Sequence, residues 1–292
     1  MNERIQAAGG RSNPLRAHRG ARASGLGVLA TLALLLPVAV QAAPPYPNSM
    51  ASTGDSITRA YNTGWFPYSD NPSGSWSTGT NSTVQSHYTR LLKLNPVISG
   101  KNYNDAKSGA KMIDLTGQMT TVVSQKVDHV TVLMGGNDIC TSSEATMTTT
   151  AAFETQFRAA MLTLSTGLPT TRVFVASIPS VKNLWSVLKG SSSARSVWSL
   201  FKVCPSMLAN PLSTASADVD RRTRVNDREV AFNAILRTVC LEYASTCTYD
   251  ADAVFNYAFT AADVSTRDYF HPSLAGQKTL AAVTWPLSYG AP

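Results

Sequence analysis

The feature that most limits what this chain can fold into is a set of short apolar runs, rich in β-branched residues, that alternate with longer amphipathic stretches. "HVTVLMGG" (129–136) and "RVFVASIP" (172–179) are too short and too uniformly apolar to be surface helices. They read as strands buried on both faces, the second stopped by Pro179. "SMASTGD" (49–55) is a similar run, and "KNYNDAKSGA" (101–110) and "TYDADAVF" (248–255) are weaker strand candidates. Helical spacing runs through 83–94, 110–125, 151–165, 227–244 and 273–284. Strands interleaved with amphipathic helices specify an α/β domain with a parallel sheet of about five strands covered on both faces. In such a sheet, working residues belong on loops at the carboxyl ends of the strands.

Residues 1–42 stand apart from that pattern. Five arginines precede the apolar run "LGVLATLALLLPVAV", and small residues close the segment at Ala42. This is the grammar of a secretory signal peptide, and the run is shorter than the roughly 20 residues of a spanning helix. The expected organisation is a leader over 1–42 and a single domain over 43–292, exported and without a membrane anchor once the leader is cut. The leader's five arginines and one glutamate account for +4 of the net +7, leaving +3 for the rest. So weak a charge calls for no nucleic acid or other polyanion, and the cluster "DVDRRTRVNDRE" (218–229) mixes both signs. It reads as a solvated loop leading into a helix, and a monomer is expected.

Four cysteines lie beyond the leader, and in an exported chain an even number reads as two disulfides. Proximity favours Cys240–Cys247, which leaves Cys140–Cys204. No CxxC spacing and no HExxH occurs, so no metal site is expected. Two stretches look irregular. Residues 62–81 are rich in turn formers and aromatics, with Trp65, Phe66, Tyr68 and Trp76 as candidate substrate contacts; residues 189–218 form a loosely patterned insertion that could act as a lid.

Candidate chemistry begins with the histidines. His87 sits in an amphipathic stretch and His129 opens a strand, both ordinary structural positions. His271, in "STRDYFHPSLAGQ", follows Asp268 by three residues, a spacing at which a carboxylate can hold one ring nitrogen while the other faces a reactant. Ser56 lies behind Gly54 and Asp55 at the end of the first strand. It is either a helix cap or a nucleophile whose neighbourhood of free backbone N–H groups stabilises an oxyanion. Gly109 and the segment "GGND" containing Asn137 also fall at strand ends, where a bare backbone N–H and an amide side chain offer hydrogen-bond donors.

The ordered blocks "GDSI", Gly109, "GGND" and "DYFH", spanning residues 54–271, resemble those of the SGNH hydrolases, the GDSL esterase and lipase superfamily. That resemblance implies a three-layer α/β/α sandwich, flavodoxin-like, and hydrolysis of acyl esters through a covalent acyl-serine. It implies Ser56 as nucleophile, His271 as base and Asp268 as its partner. The oxyanion hole would be formed by the Ser56 and Gly109 N–H groups and the Asn137 side chain, with no cofactor. Ile57 stands where the family motif has leucine, and 62–81 lacks the cysteines that secreted relatives often carry there. A G-x-S-x-G elbow, the mark of a different triad fold, is absent. The leading expectation is a secreted esterase or lipase acting on a small-molecule or lipid ester. Its rivals are a carbohydrate O-acetyl esterase on the same triad and a non-catalytic secreted binding protein.

Overall fold

Five short strands, all parallel, pair in the order β2–β1–β3–β4–β5: β1 (Met50–Gly54), β2 (Asn102–Asn104), β3 (His129–Leu133), β4 (Arg172–Val175) and β5 (Cys247–Tyr249). They belong to a computed structural model that describes residues 46–289; the expected leader lies outside the described residues. Ten α-helices are described: α1 (His87–Leu94), α2 (Leu115–Gln125), α3 (Gly136–Ile139), α4 (Thr150–Gly167), α5 (Val181–Leu188), α6 (Ser192–Leu200), α7 (Pro205–Leu208), α8 (Ser216–Glu242), α9 (Ala253–Asn256) and α10 (Leu274–Ser288). None is long and apolar enough to cross a membrane.

The period of two along each strand divides the core into layers. Val130, Val132, Val173 and Val175 meet apolar residues of α2, α4 and α8. Leu133 and Phe174, of opposite parity, pack with Leu280 and Ala281 of α10. Met50 lies with Tyr88 and Leu91 of α1, against Trp285 of α10. The result is a three-layer α/β/α sandwich.

Strand order reverses between β1 and β3, whose ends are level because Gly54 pairs with Leu133. Chain leaving both strands at that point opens a crevice at the switch in topology, the usual ligand position in an open parallel sheet. Gly54 is required there. Its φ is +144°, and a Cβ would lie 2.3 Å from the Leu133 carbonyl oxygen.

Three details depart from the sequence reading. Trp76 is not placed to contact a substrate: it is fully buried, stands edge-on to the His87 ring and donates Nε1–H to Thr58 Oγ1 at 3.3 Å. The insertion at 189–218 is helical rather than loose, since Ser191 caps α6 and the chain forms α7 before α8 begins. The charged cluster at 218–229 lies inside α8 rather than in a loop. Arg221 pairs with Asp218 at 2.9 Å and donates to the carbonyls of Pro205, Ser206 and Ala209. Those charges satisfy the backbone of a neighbouring turn, a use invisible in one-dimensional charge patterning.

Disulfides join Cys140 to Cys204 and Cys240 to Cys247. The first ties the segment after α3 to the helical insertion, and the second closes the end of α8 onto β5.

His87 and His129 are both buried. Burial lowers both ring pKa values, that of His129 to about 3. The unfolded chain therefore takes up these protons first, so their contribution to stability is complete above pH 6.5 and is lost as pH falls from there toward 3. Buried Asp55 and Glu229 have raised pKa values and act in the opposite sense, so the effect is read by difference. Replacement His129→Phe should flatten the acid limb of stability by up to about 1.4 kcal/mol per pH unit in that range. Urea unfolding of both proteins from pH 7 to 4 measures this, and parallel curves would disprove it.

Candidate active site

The turn after β1 carries Asp55 and Ser56, and its geometry separates their roles. Asp55 Oδ1 accepts the Ile57 backbone N–H at 2.9 Å, so the aspartate caps this turn. Ser56 is left uncommitted to the backbone. Its Oγ lies 2.8 Å from His271 Nε2, across 215 residues of sequence. No α-helix follows; residues 56–62 form consecutive turns, closed by Arg59 N–H to Asp55 O and Tyr61 N–H to Ser56 O.

His271 lies in the loop before α10. That loop is closed by Ser265 N–H donating to the His271 carbonyl at 2.8 Å and by a bridge between Val264 and Pro272. The His271 ring is flanked by Tyr61 and Phe270, with centroids 4.9 and 5.1 Å away. His271 Nδ1 is 2.7 Å from Asp268 Oδ2. Asp268 is itself buried and would be pushed up by desolvation. The bonds from the His271 ring and from the backbone N–H groups of His271 and Phe270 outweigh that and hold its pKa below the usual value. An ionised carboxylate only accepts, so Nδ1 carries the ring proton and Nε2 is left to accept from the Ser56 hydroxyl. A hydroxyl held this way can lose its proton to the ring as it attacks an electrophilic carbon.

One contributor is not apparent in the sequence. Asn62, buried and in the left-handed region with φ +64°, donates from Nδ2 to Asp268 Oδ2 at 2.5 Å and accepts Tyr68 N–H on Oδ1 at 2.6 Å. Its only local signal is an asparagine in a turn-rich stretch, and its partner lies 206 residues away.

The donors come from the two neighbouring strand ends. Asn137, in α3, lines the same cleft as Ser56 and His271 and donates one amide hydrogen to the Ala110 carbonyl at 2.9 Å, which leaves the other available. That bond joins Asn137 to the turn carrying Gly109, and Lys107 N–H donating to Gly54 O joins the turn to β1. Gly109 has φ +83°, and neither its N–H nor that of Ser56 meets a partner among the described residues. Buried Asp138 braces the pair, accepting Met112 N–H at 2.9 Å and Thr148 Oγ1–H at 2.6 Å.

The cleft beside Ser56 and His271 is apolar. Ile178, Val181, Leu184, Phe259 and Phe270 form much of its wall, with Asp263 and Asn183 among the polar residues that line it. Glu229 and Asn233, one helical turn apart on α8, accept the backbone N–H groups of Val181 and Ile178 and so hold that wall in place. Trp65, Phe66, Tyr68 and Trp76 line none of it; the first three are exposed to solvent, with Arg267 of the Asp268 loop donating to the carbonyls of Trp65 and Phe66.

Residues 53–279 match the model of the GDSL-like lipase/acylhydrolase family. No curated protein sequence gives a significant match. Among solved structures, one assigned as a GDSL-like lipase from Parabacteroides merdae is 18% identical with a TM-score of 0.53, the match covering 84% of this chain and 98% of that one. A catalytic mutant of an acetylxylan esterase from Geobacillus stearothermophilus is 16% identical, with a TM-score of 0.52 and coverage of 84% and 94%. At such identities these two share the fold.

Proposed function

The chain belongs to the GDSL-like lipase/acylhydrolase family of carboxylic ester hydrolases, and from that premise we propose that it cleaves esters through an acyl-enzyme on Ser56. The observation that carries this reading is the Asp268–His271–Ser56 series at 2.7 and 2.8 Å, opening on an apolar cleft. His271 Nε2 takes the Ser56 proton as Oγ bonds to the ester carbonyl carbon. The negative charge on the carbonyl oxygen is met by the N–H groups of Ser56 and Gly109 and the Asn137 amide. The bond to the alkoxy oxygen then breaks, and His271 returns the proton to the departing alcohol. Water, deprotonated by the same ring, attacks the acyl-serine and releases the acid. Neither a metal nor an organic cofactor enters these steps.

The cleft favours an ester with an apolar acyl group longer than acetyl. Each methylene removed from water contributes about 0.8 kcal/mol, so two should raise kcat/KM by roughly tenfold. The purified protein is therefore expected to hydrolyse p-nitrophenyl butyrate about tenfold more efficiently than the acetate. A preference for acetate would sink this substrate assignment and support the carbohydrate O-acetyl esterase reading, the kind of activity named for the Geobacillus structure.

Export of the protein is supported by the two disulfides, which persist in oxidising compartments. An intact mass of the exported protein that begins at Ala43 is the expected result; retention of the arginine-rich segment would overturn it.

A further inference from the structure

The three most exposed large apolar side chains, Trp65, Leu200 and Phe66, belong to two segments tied to the triad loop, outside the cleft. Trp65 is 90% exposed, Phe66 72% and Tyr68 56%, and from the end of α6 come Leu200 at 75% and Phe201 at 57%. The two segments meet where the Tyr68 and Phe201 rings lie 6.2 Å apart. Both are fixed to the triad loop: Arg267 donates to the carbonyls of Phe66 and Trp65 at 3.0 and 3.2 Å, and Trp198 Nε1 donates to Tyr269 O at 2.9 Å. Folding therefore leaves this surface in water on a rigid support, next to the site.

We propose that this surface docks the protein on anionic phospholipid interfaces. Three observations select that occupant. First, the polar groups of the loop are already used internally. Asn62 holds Asp268, Ser69 Oγ donates to Phe66 O, and Asp70 joins Arg59 and Ser108. A sugar stacked on the rings would find few free hydrogen-bonding partners, whereas an acyl layer needs none. Second, the protruding set is Trp, Phe, Tyr and Leu, and the indole N–H of Trp65 meets no partner among the described residues, which suits a ring seated at headgroup depth. Third, residues 181–217, which include α6, hold Lys182, Lys189, Arg195 and Lys202 and no acid. No ion pair is formed by any of the four among the described residues. A basic segment that itself carries Leu200 and Phe201 of the apolar tip is complementary to a negatively charged bilayer surface.

The test uses Ser56→Ala protein, so that binding is read without lipid turnover. Large unilamellar vesicles of phosphatidylcholine, with and without phosphatidylglycerol, serve as probe. The protein is expected to co-sediment with the phosphatidylglycerol vesicles, less so as salt rises, with a blue shift from Trp65, the one exposed tryptophan of five. Adding Trp65→Ala and Phe66→Ala should weaken partitioning by at least about a hundredfold, because two large apolar side chains leave the interface. Leu200→Ala, on the other element, should weaken it about tenfold. In the otherwise wild-type protein, all three replacements should leave kcat/KM on soluble p-nitrophenyl butyrate within twofold. The proposal is overturned if phosphatidylglycerol vesicles are not bound, or if these variants bind them undiminished. It is equally overturned if Trp65 emission responds to xylo-oligosaccharides and not to vesicles, or if light scattering shows a dimer that Trp65→Ala dissociates.

Discussion

Ser56→Ala should reduce kcat on p-nitrophenyl butyrate by three to six orders of magnitude while leaving the melting temperature unchanged. The two halves of that expectation come from the same turn. Catalytic loss follows because, among the described residues, the one side-chain partner of Ser56 Oγ is His271 Nε2, so removing the oxygen removes the atom that would carry the acyl group. Stability is preserved because Asp55, not Ser56, accepts the backbone N–H in this turn. Had Ser56 been a cap, its loss would cost about 1 kcal/mol and little activity. Steady-state kinetics beside a thermal melt separates the readings. Retention of a tenth or more of the activity would remove Ser56 from the mechanism.

How much of this could be read in the sequence depends on how local each determinant is. β3 and β4 are legible because they are buried on both faces, which favours nearly continuous apolar runs, broken here only by His129, Thr131 and Arg172. β2 and β5 are only three residues each, too short to carry a period, which is why their stretches read only as weaker strand candidates. The helices of 189–218 are hidden because serines are interspersed among the apolar residues that would mark a face; Ser191 is in fact the cap of α6. The burial of Trp76 is hidden for a related reason. A tryptophan in a turn-rich stretch reads as exposed, and its burial depends on α1 and β4, whose His87 and Phe174 enter the same core.

Within the site, the legible groups were those whose chemistry is rare in the chain. Only three histidines lie among the described residues, and His271 alone has an acid at a useful spacing. Asn62 was not legible, because asparagine in a turn is common and its task is defined entirely by Asp268, far along the chain. The same holds for Glu229 and Asn233, which read as ordinary helix residues until Val181 and Ile178 are seen to lie against them.

The carboxylate of Asp268 gives the second large effect, because its four hydrogen bonds divide its two oxygens between structure and chemistry. Oδ1 accepts the backbone N–H groups of Phe270 and His271, at 2.9 and 3.0 Å. Oδ2 accepts His271 Nδ1–H and Asn62 Nδ2–H. In Asp268→Asn, the single carbonyl oxygen stays with the two backbone donors, so the loop keeps its shape. The new NH2 then replaces Oδ2. It opposes the Asn62 amide, donor against donor, and makes His271 Nδ1 an acceptor, which moves the ring proton to Nε2, facing Ser56. A ring in that tautomer cannot take the Ser56 proton, and kcat should fall about ten-thousandfold, while the opposed buried amides cost about 1–3 kcal/mol of stability. Asn62→Ala removes one donor from Oδ2 and leaves the tautomer correct, so its cost is one of orientation, about ten- to a hundredfold in kcat. The ordering of wild type, Asn62→Ala and Asp268→Asn is therefore the informative measurement. If Asp268→Asn retains more than the asparagine variant, Asp268 serves the backbone of the loop, and the proton on His271 is placed by another group.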